Sequence, residues 1–153
     1  MPSKVTFANV ASSDFEALAD IRVAAMRESL ERVGRFDPSR ARERLRSTFS
    51  PEHTRFIIFE GVKVGFFAVR PSPEGAQLDH LYIHPNYQSR GIGGVALMSI
   101  IDDAEKRGVS IRVGALKESA SNRFYLRHGF VLSSEGDWDN YYVRPVSASQ
   151  TKG

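Results

Sequence analysis

The chain has 153 residues, 25% of them charged and none of them cysteine, and carries a formal net charge of +3. That describes one domain of ordinary soluble polarity, and no apolar run approaches the roughly 18 residues of a membrane span. Without cysteine there is no disulfide framework, no thiolate metal site and no acyl-cysteine chemistry, and the expected compartment is the cytoplasm.

Residues 5–10 alternate weakly and read as a first strand, not as a signal peptide. Ser13 and Glu16 have the spacing of a capping box, with a helix from there to about Arg32 and an apolar face of Phe15, Leu18, Ile21 or Arg22, Ala25 and Met26. Asp37-Pro38 sets a second N-cap, for a helix with Ala41, Leu45 and Phe49 on one side that Pro51 ends. Arg40, Arg42, Arg44 and Arg46 are two apart, so they spread around that helix and form no nucleic-acid stripe. Residues 56–59 and 62–69 read as a hairpin turning at Glu60-Gly61, followed by a turn cluster at residues 71–75 and a strand at residues 78–83. A helix over residues 92–107, apolar almost all round as far as Ile101, is capped by Gly108. Ile111, Val113 and Ala115 alternate as a strand, and Ser119 or Ser121 opens a short helix ending at His128-Gly129. Two last strands are expected at residues 130–132 and 141–143. The reading is one domain over residues 1–146, with a disordered tail at residues 147–153.

The most informative stretch is Gln88-Ser89-Arg90-Gly91-Ile92-Gly93-Gly94, a glycine loop between the residue 78–83 strand and the long helix. Helix N-termini present unpaired N–H groups and a partial positive charge, and glycine lets an anion approach them. Residues 91–96 also satisfy the dinucleotide pattern G-x-G-x-x-A. That pattern needs an acid about twenty residues on, where this chain has Ile111, and the preceding elements form a hairpin.

Gln88-x-x-Gly91-x-Gly93 after Leu81-Tyr82-Ile83-His84-Pro85 resembles the acyl-CoA-binding signature of the GCN5-related N-acetyltransferase (GNAT) superfamily. Asn122-Arg123-Phe124-Tyr125 followed by His128-Gly129-Phe130 is similar to the later segment that carries that superfamily's tyrosine. The element order also fits the GNAT fold, an α/β (α+β) arrangement. Its mixed, mostly antiparallel sheet of six to seven strands has helices on both faces and one parallel βαβ crossover at the acyl-CoA loop. The resemblance implies acetyl-CoA as co-substrate, its pyrophosphate on the N–H groups of Ser89, Arg90, Gly91, Ile92, Gly93 and Gly94. It implies pantetheine pairing with the backbone of Leu81, Tyr82 and Ile83, and a polar contact to the co-substrate from Asn122.

Tyr125 is the candidate acid: amine attack on a thioester expels a thiolate, and a phenol of pKa ~10 can protonate a thiolate whose thiol has a pKa of ~8.5 at a cost of about 2 kcal/mol. An alkylammonium must also lose a proton. Asp79 is the candidate base, with His80 or a water as alternatives and pairing with an arginine as Asp79's structural role. Some family members place a Glu on the next strand, where this chain has Val113 and Gly114. The resemblance puts residues 27–37 beside the acceptor, with Arg27, Arg35 and Phe36 as candidates. Trp138 and Tyr141 either line the cleft or pack the last hairpin. Four scattered histidines support no metal site.

The expected function is acetyl-CoA-dependent transfer to a primary amine, of a small molecule, by direct attack in a ternary complex. A protein N-terminus or lysine is the alternative acceptor, and a non-catalytic acyl-CoA-binding or sensor domain is the rival of another class. No nucleic-acid or membrane partner is expected; a homodimer is the assembly considered.

Overall fold

Seven strands and four α-helices make up the framework of residues 4–146, the part of the chain that the structure, a computed structural model, describes. The tail expected at residues 147–153 lies outside the described residues. The elements are β1 (Val5–Asn9), α1 (Phe15–Arg32), α2 (Pro38–Thr48), β2 (Thr54–Phe59), β3 (Val62–Ser72), β4 (Gly75–Ile83), α3 (Ile92–Arg107), β5 (Ile111–Leu116), α4 (Ser121–Arg127), β6 (Val131–Glu135) and β7 (Asp139–Arg144). The strands form one seven-stranded sheet in the order β1-β2-β3-β4-β5-β7-β6. It is mixed: β4 and β5 are parallel, joined by α3, while β1-β2, β2-β3, β5-β7 and β6-β7 are antiparallel.

The chain divides into two compact units, one holding the residues up to Val69 and His80–Met98, the other Arg70–Asp79 and the residues from Ser99 on. In the first, the apolar side of α1 closes on β2 and β3. Val10, Phe15, Leu18, Ala19, Ile21, Leu45, Phe56 and Phe66 form its buried core. Burying each large aliphatic or aromatic side chain contributes about 1.5–3 kcal/mol, so this cluster fixes α1 and α2 against the hairpin. The hairpin turns on Glu60 (φ 51°) and Gly61 (φ 83°), the left-handed pair that a two-residue connection demands. In the second unit, Ala76, Gln77 and Leu78 of β4 pair with Ile111, Arg112 and Val113 of β5. Gly75 stands where a side chain would run into the Ser110 backbone.

Four sequence expectations are corrected. The Ser13–Glu16 capping box does not form. Asp14 Oδ2 accepts from the Ala11 N–H at 2.8 Å, and a 3-10 turn over Ser12–Asp14 precedes α1. Glu16 instead accepts from Arg42 Nη2 at 2.6 Å. The turn cluster at residues 71–75 is shorter than expected, because β3 runs through Pro71 to Ser72 and β4 starts at Gly75. The long helix is not enclosed all round: Ile92, Ala96, Leu97, Ile100, Ile101 and Ala104 make a buried stripe, and Met98 is 47% exposed. The last two strands are longer than read, and β6 begins after the buried Phe130 instead of at it.

Candidate active site

The glycine loop lies wholly in the first unit. After β4, His84 caps a 3-10 turn over Pro85–Tyr87, its Nδ1 accepting from the Asn86 N–H at 3.1 Å. Gln88 then folds back and donates from Nε2 to the Ile83 carbonyl at 2.8 Å, so the motif glutamine fastens the loop to the end of β4. Ser89 (φ 63°) and Gly91 (φ 83°) both adopt left-handed backbone. Gln88, Ser89, Arg90 and Gly91 are exposed, and the Arg90 guanidinium lies 5.4 Å from the centre of the Tyr87 ring.

The first i→i−4 bond of α3 runs from Val95 N to Gly91 O at 3.1 Å. The N–H groups of Ile92, Gly93 and Gly94 therefore have no acceptor within the helix. A Cβ on Gly91 would meet nothing within 4 Å. Open space beside a ring of first-turn N–H groups suits an anionic group, so these residues fit a pyrophosphate.

Leu81, Tyr82 and Ile83 follow in β4, each partly buried. Gly65 of β3 is pressed against them: a Cβ there would collide with the Tyr82 carbonyl oxygen, and the Ile83 side chain lies 2.9 Å from the same position. Only glycine permits this approach.

The two base candidates differ sharply. Asp79 Oδ2 accepts from Arg70 Nε at 2.8 Å, the pairing with an arginine considered above. Its Oδ1 has no hydrogen-bond partner among the described residues. His80 is 7% exposed and belongs to a buried chain of polar groups in the first unit. Arg22 Nε lies 3.2 Å from Tyr82 Oη, Tyr82 Oη lies 3.3 Å from His80 Nδ1, and His80 Nε2 lies 2.8 Å from Thr48 Oγ1. Arg22 can only donate, so the phenol must give its proton to Nδ1. Nε2–H then donates to Thr48, whose hydroxyl turns to the Arg44 and Leu45 carbonyls, each at 3.3 Å. Burial first, and the Arg22 charge second, lower the His80 pKa to about 3. With both ring nitrogens engaged and so low a basicity, His80 is a poor acceptor for an amine proton.

In the second unit, Asn122 is occupied structurally. Its Nδ2 donates to the Leu116, Lys117 and Ser119 carbonyls at 2.9, 3.1 and 2.9 Å. Its Oδ1 accepts from Asn140 Nδ2 at 2.9 Å and Tyr142 Oη at 2.7 Å. An amide has two N–H groups and two lone pairs, so the side chain has no capacity left for the co-substrate contact expected of it. It ties α4 to β5 and β7 instead. Tyr125 is 5% exposed, its ring 5.3 Å from Phe130, 5.4 Å from Phe124 and 6.3 Å from Tyr142.

Of the acceptor candidates, Arg27 and Phe36 come together, the guanidinium 5.1 Å from the ring centre, with Arg27 also bound to Glu31 at 3.0 Å. Arg35 donates its backbone N–H to the Leu30 carbonyl at 2.8 Å in the turn after α1. Tyr141 packs over Gly114 and Gly136 in the last hairpin, and both Tyr141 and Trp138 are more than 40% exposed. Sequence reasoning missed the Arg22–Tyr82–His80–Thr48 chain. Its trace was an arginine beside Ile21 on a helix face that needed apolar residues.

Among the described residues, no group of three or more His, Asp or Glu side chains is placed to hold a metal ion, and no helix is long and apolar enough to cross a membrane.

Comparison with known proteins places these features in context. The PaiA N-acetyltransferase of Thermoplasma acidophilum, solved in complex with coenzyme A, matches with a TM-score of 0.76 at 17% identity, over 92% of this chain and 98% of that one. An acetyltransferase from Thermus thermophilus matches with a TM-score of 0.74 at 19% identity, over 94% and 97%. The ribosomal-protein-S18-alanine N-acetyltransferase of Escherichia coli matches with a TM-score of 0.68 at 18% identity, over 94% and 96%. These likenesses establish the fold. No curated protein sequence matches the chain. The model of the acetyltransferase (GNAT) family matches residues 15–130, which include both the glycine loop and Tyr125. The chain belongs to the acetyltransferase (GNAT) family.

Proposed function

We propose that this acyltransferase is an acetyl-CoA-dependent N-acetyltransferase that acylates a primary amine of a small molecule by direct attack within a ternary complex. The observation that carries the reading is the family match across residues 15–130, with the glycine loop intact inside it. The absence of cysteine favours direct transfer, because no thiol is present to take up the acetyl group.

Each residue has a role in this reading. The N–H groups of Ser89, Arg90, Gly91, Ile92, Gly93 and Gly94 bind the pyrophosphate, with Gln88 holding the loop in shape. The backbone of Leu81, Tyr82 and Ile83 pairs with the pantetheine amides. Asp79, directly or through a water, takes the ammonium proton through its open Oδ1 while Arg70 holds Oδ2. Tyr125 gives a proton to the departing thiolate. Arg27, Arg35 and Phe36 border the acceptor. The protein acts in the cytoplasm, without a metal, and a homodimer is its proposed assembly.

The test is a screen of amines that follows free thiol release from acetyl-CoA. A second arm uses peptides with free N-termini, since a structural neighbour is a ribosomal-protein-S18-alanine N-acetyltransferase. Thiol release with small amines supports the reading. Release with peptides alone moves the acceptor to protein.

A further inference from the structure

Four of the arginines around the first two helices pair with carboxylates. Arg27 pairs with Glu31, Arg32 with Glu28, Arg42 with Glu16 and Arg46 with Glu43. Arg22 is the most enclosed of the arginines there, at 6% exposure, and is not among those four. Its contacts are all neutral: the Tyr82 hydroxyl at 3.2 Å, the Ala41 carbonyl at 2.5 Å from Nη1, and the Tyr82 ring at 5.6 Å. No carboxylate of the described residues pairs with it, and Nη2 has no hydrogen-bond partner among them.

A guanidinium cannot shed its charge near neutral pH, and burying one without a counter-charge is costly. The groups around it do not compensate. His80, joined to it through Tyr82, carries no charge at neutral pH, its pKa lowered to about 3 by burial and by Arg22 itself. Thr48 is neutral, and Phe66 lies 5.5 Å from the Tyr82 ring. Two contacts fix the guanidinium in orientation while its remaining N–H groups stay uncommitted. A positioned fork of this kind matches a planar anion.

We propose that Arg22 is a specificity residue that binds a carboxylate on the acceptor, so the favoured substrates are amines bearing an acidic group, amino acids among them. Tyr82 and Ala41 hold the guanidinium ready, and the acceptor supplies the missing negative charge. The proposal rests on the N-acetyltransferase reading and narrows its acceptor class.

The experiment has a chemical arm and a binding arm. In the first, kcat/KM is measured for a panel of amino acids, each against its carboxamide, with acetyl-CoA saturating. Wild type should prefer the acids by about ten- to a hundredfold, the range of hydrogen bonds to charged groups. Arg22→Gln should erase that preference while leaving the dissociation constant for acetyl-CoA within about threefold, the noise expected when no direct contact is lost. Should Arg22→Gln fail to fold, Arg22→Lys carries the test, since losing the planar fork should cut the preference severalfold. Equal rates with acids and amides overturn the proposal, as does an unchanged preference in a folded variant. A large fall in acetyl-CoA affinity in Arg22→Gln also overturns it, assigning the charge to a co-substrate phosphate.

In the binding arm, propionate and propionamide are titrated into wild-type protein while the Nε–H resonance of Arg22 is followed by NMR. Movement with propionate alone supports carboxylate binding even where no amine is acetylated, an outcome that would sink the N-acetyltransferase reading separately. A resonance indifferent to both, in a protein that does acetylate amines, sinks the carboxylate site and leaves the enzyme assignment standing.

Discussion

Arg70 Nε donates to Asp79 Oδ2 at 2.8 Å across the turn joining β3 and β4, and Asp79 is much the more enclosed of the two, 14% exposed at its side chain against 49%. An ion pair with one exposed partner contributes at most about 1 kcal/mol. Asp79→Asn should therefore cost little stability. If Asp79 is the base, the same variant should flatten the rising limb of the rate–pH profile, because an amide cannot accept the proton. An unchanged profile would assign the proton to a water held by backbone groups.

The buried His80 sets a pH dependence of stability. Its pKa is near 6.5 when unfolded and about 3 when folded. Between those values the unfolded state binds the extra proton, so stability is complete above about pH 6.5 and falls as the solution is acidified. Well inside that window the loss is about 1.4 kcal/mol per pH unit. Urea denaturation of wild type and His80→Asn at pH 7 and pH 5 should show the wild type losing more. Equal losses would mean that His80 charges without opening the Arg22–Tyr82–Thr48 chain.

Gly65→Ala should be among the most damaging small substitutions. The added methyl runs into the Tyr82 carbonyl, a backbone atom that cannot swing aside. Overpacking of this sort typically costs about 1–3 kcal/mol, readable in the urea midpoint. Because the shift falls on β4, acetyl-CoA affinity should also drop. A variant with wild-type stability and affinity would show that β3 and β4 are less closely apposed than described.

Local signals were legible where one residue type decides the backbone. Asp37-Pro38, Glu60-Gly61 and Gly108 mark a helix start, a hairpin turn and a helix end where expected. So does Ile92 at the start of α3, because glycine and proline constrain φ and a capping aspartate has one good use. Ser13 and Glu16 misled because the chain enters α1 one turn earlier, through a 3-10 turn in which Asp14 accepts from the Ala11 N–H, and because Arg42, distant in sequence, claims Glu16. Asn122 looked like a ligand group because spacing cannot show that five neighbours already fill its valences. Arg22 was hidden for a related reason. Helical periodicity places it on the core side, yet only the fold shows that Tyr82 and Ala41 receive it and that no acid among the described residues pairs with it.

Tyr125→Phe removes one oxygen from a ring otherwise held by Phe124, Phe130 and Tyr142. If the hydroxyl protonates the leaving thiolate, acetyl-CoA binding should be nearly normal and turnover should fall roughly a hundredfold, the low end of general acid catalysis. A loss below about threefold in kcat would return Tyr125 to a packing role, since general acids contribute far more.

The central claim is tested most directly by acceptor-dependent release of free thiol from acetyl-CoA, with the acetylated amine identified by mass spectrometry. The account predicts thiol and acetyl-amine formed in equal amounts, saturable in both substrates, and lost in Gly93→Val, whose branched side chain would occupy the space of the pyrophosphate. Tight acetyl-CoA binding with no thiol release for any amine or peptide would contradict it, and would make the protein a binding domain that never completes the transfer.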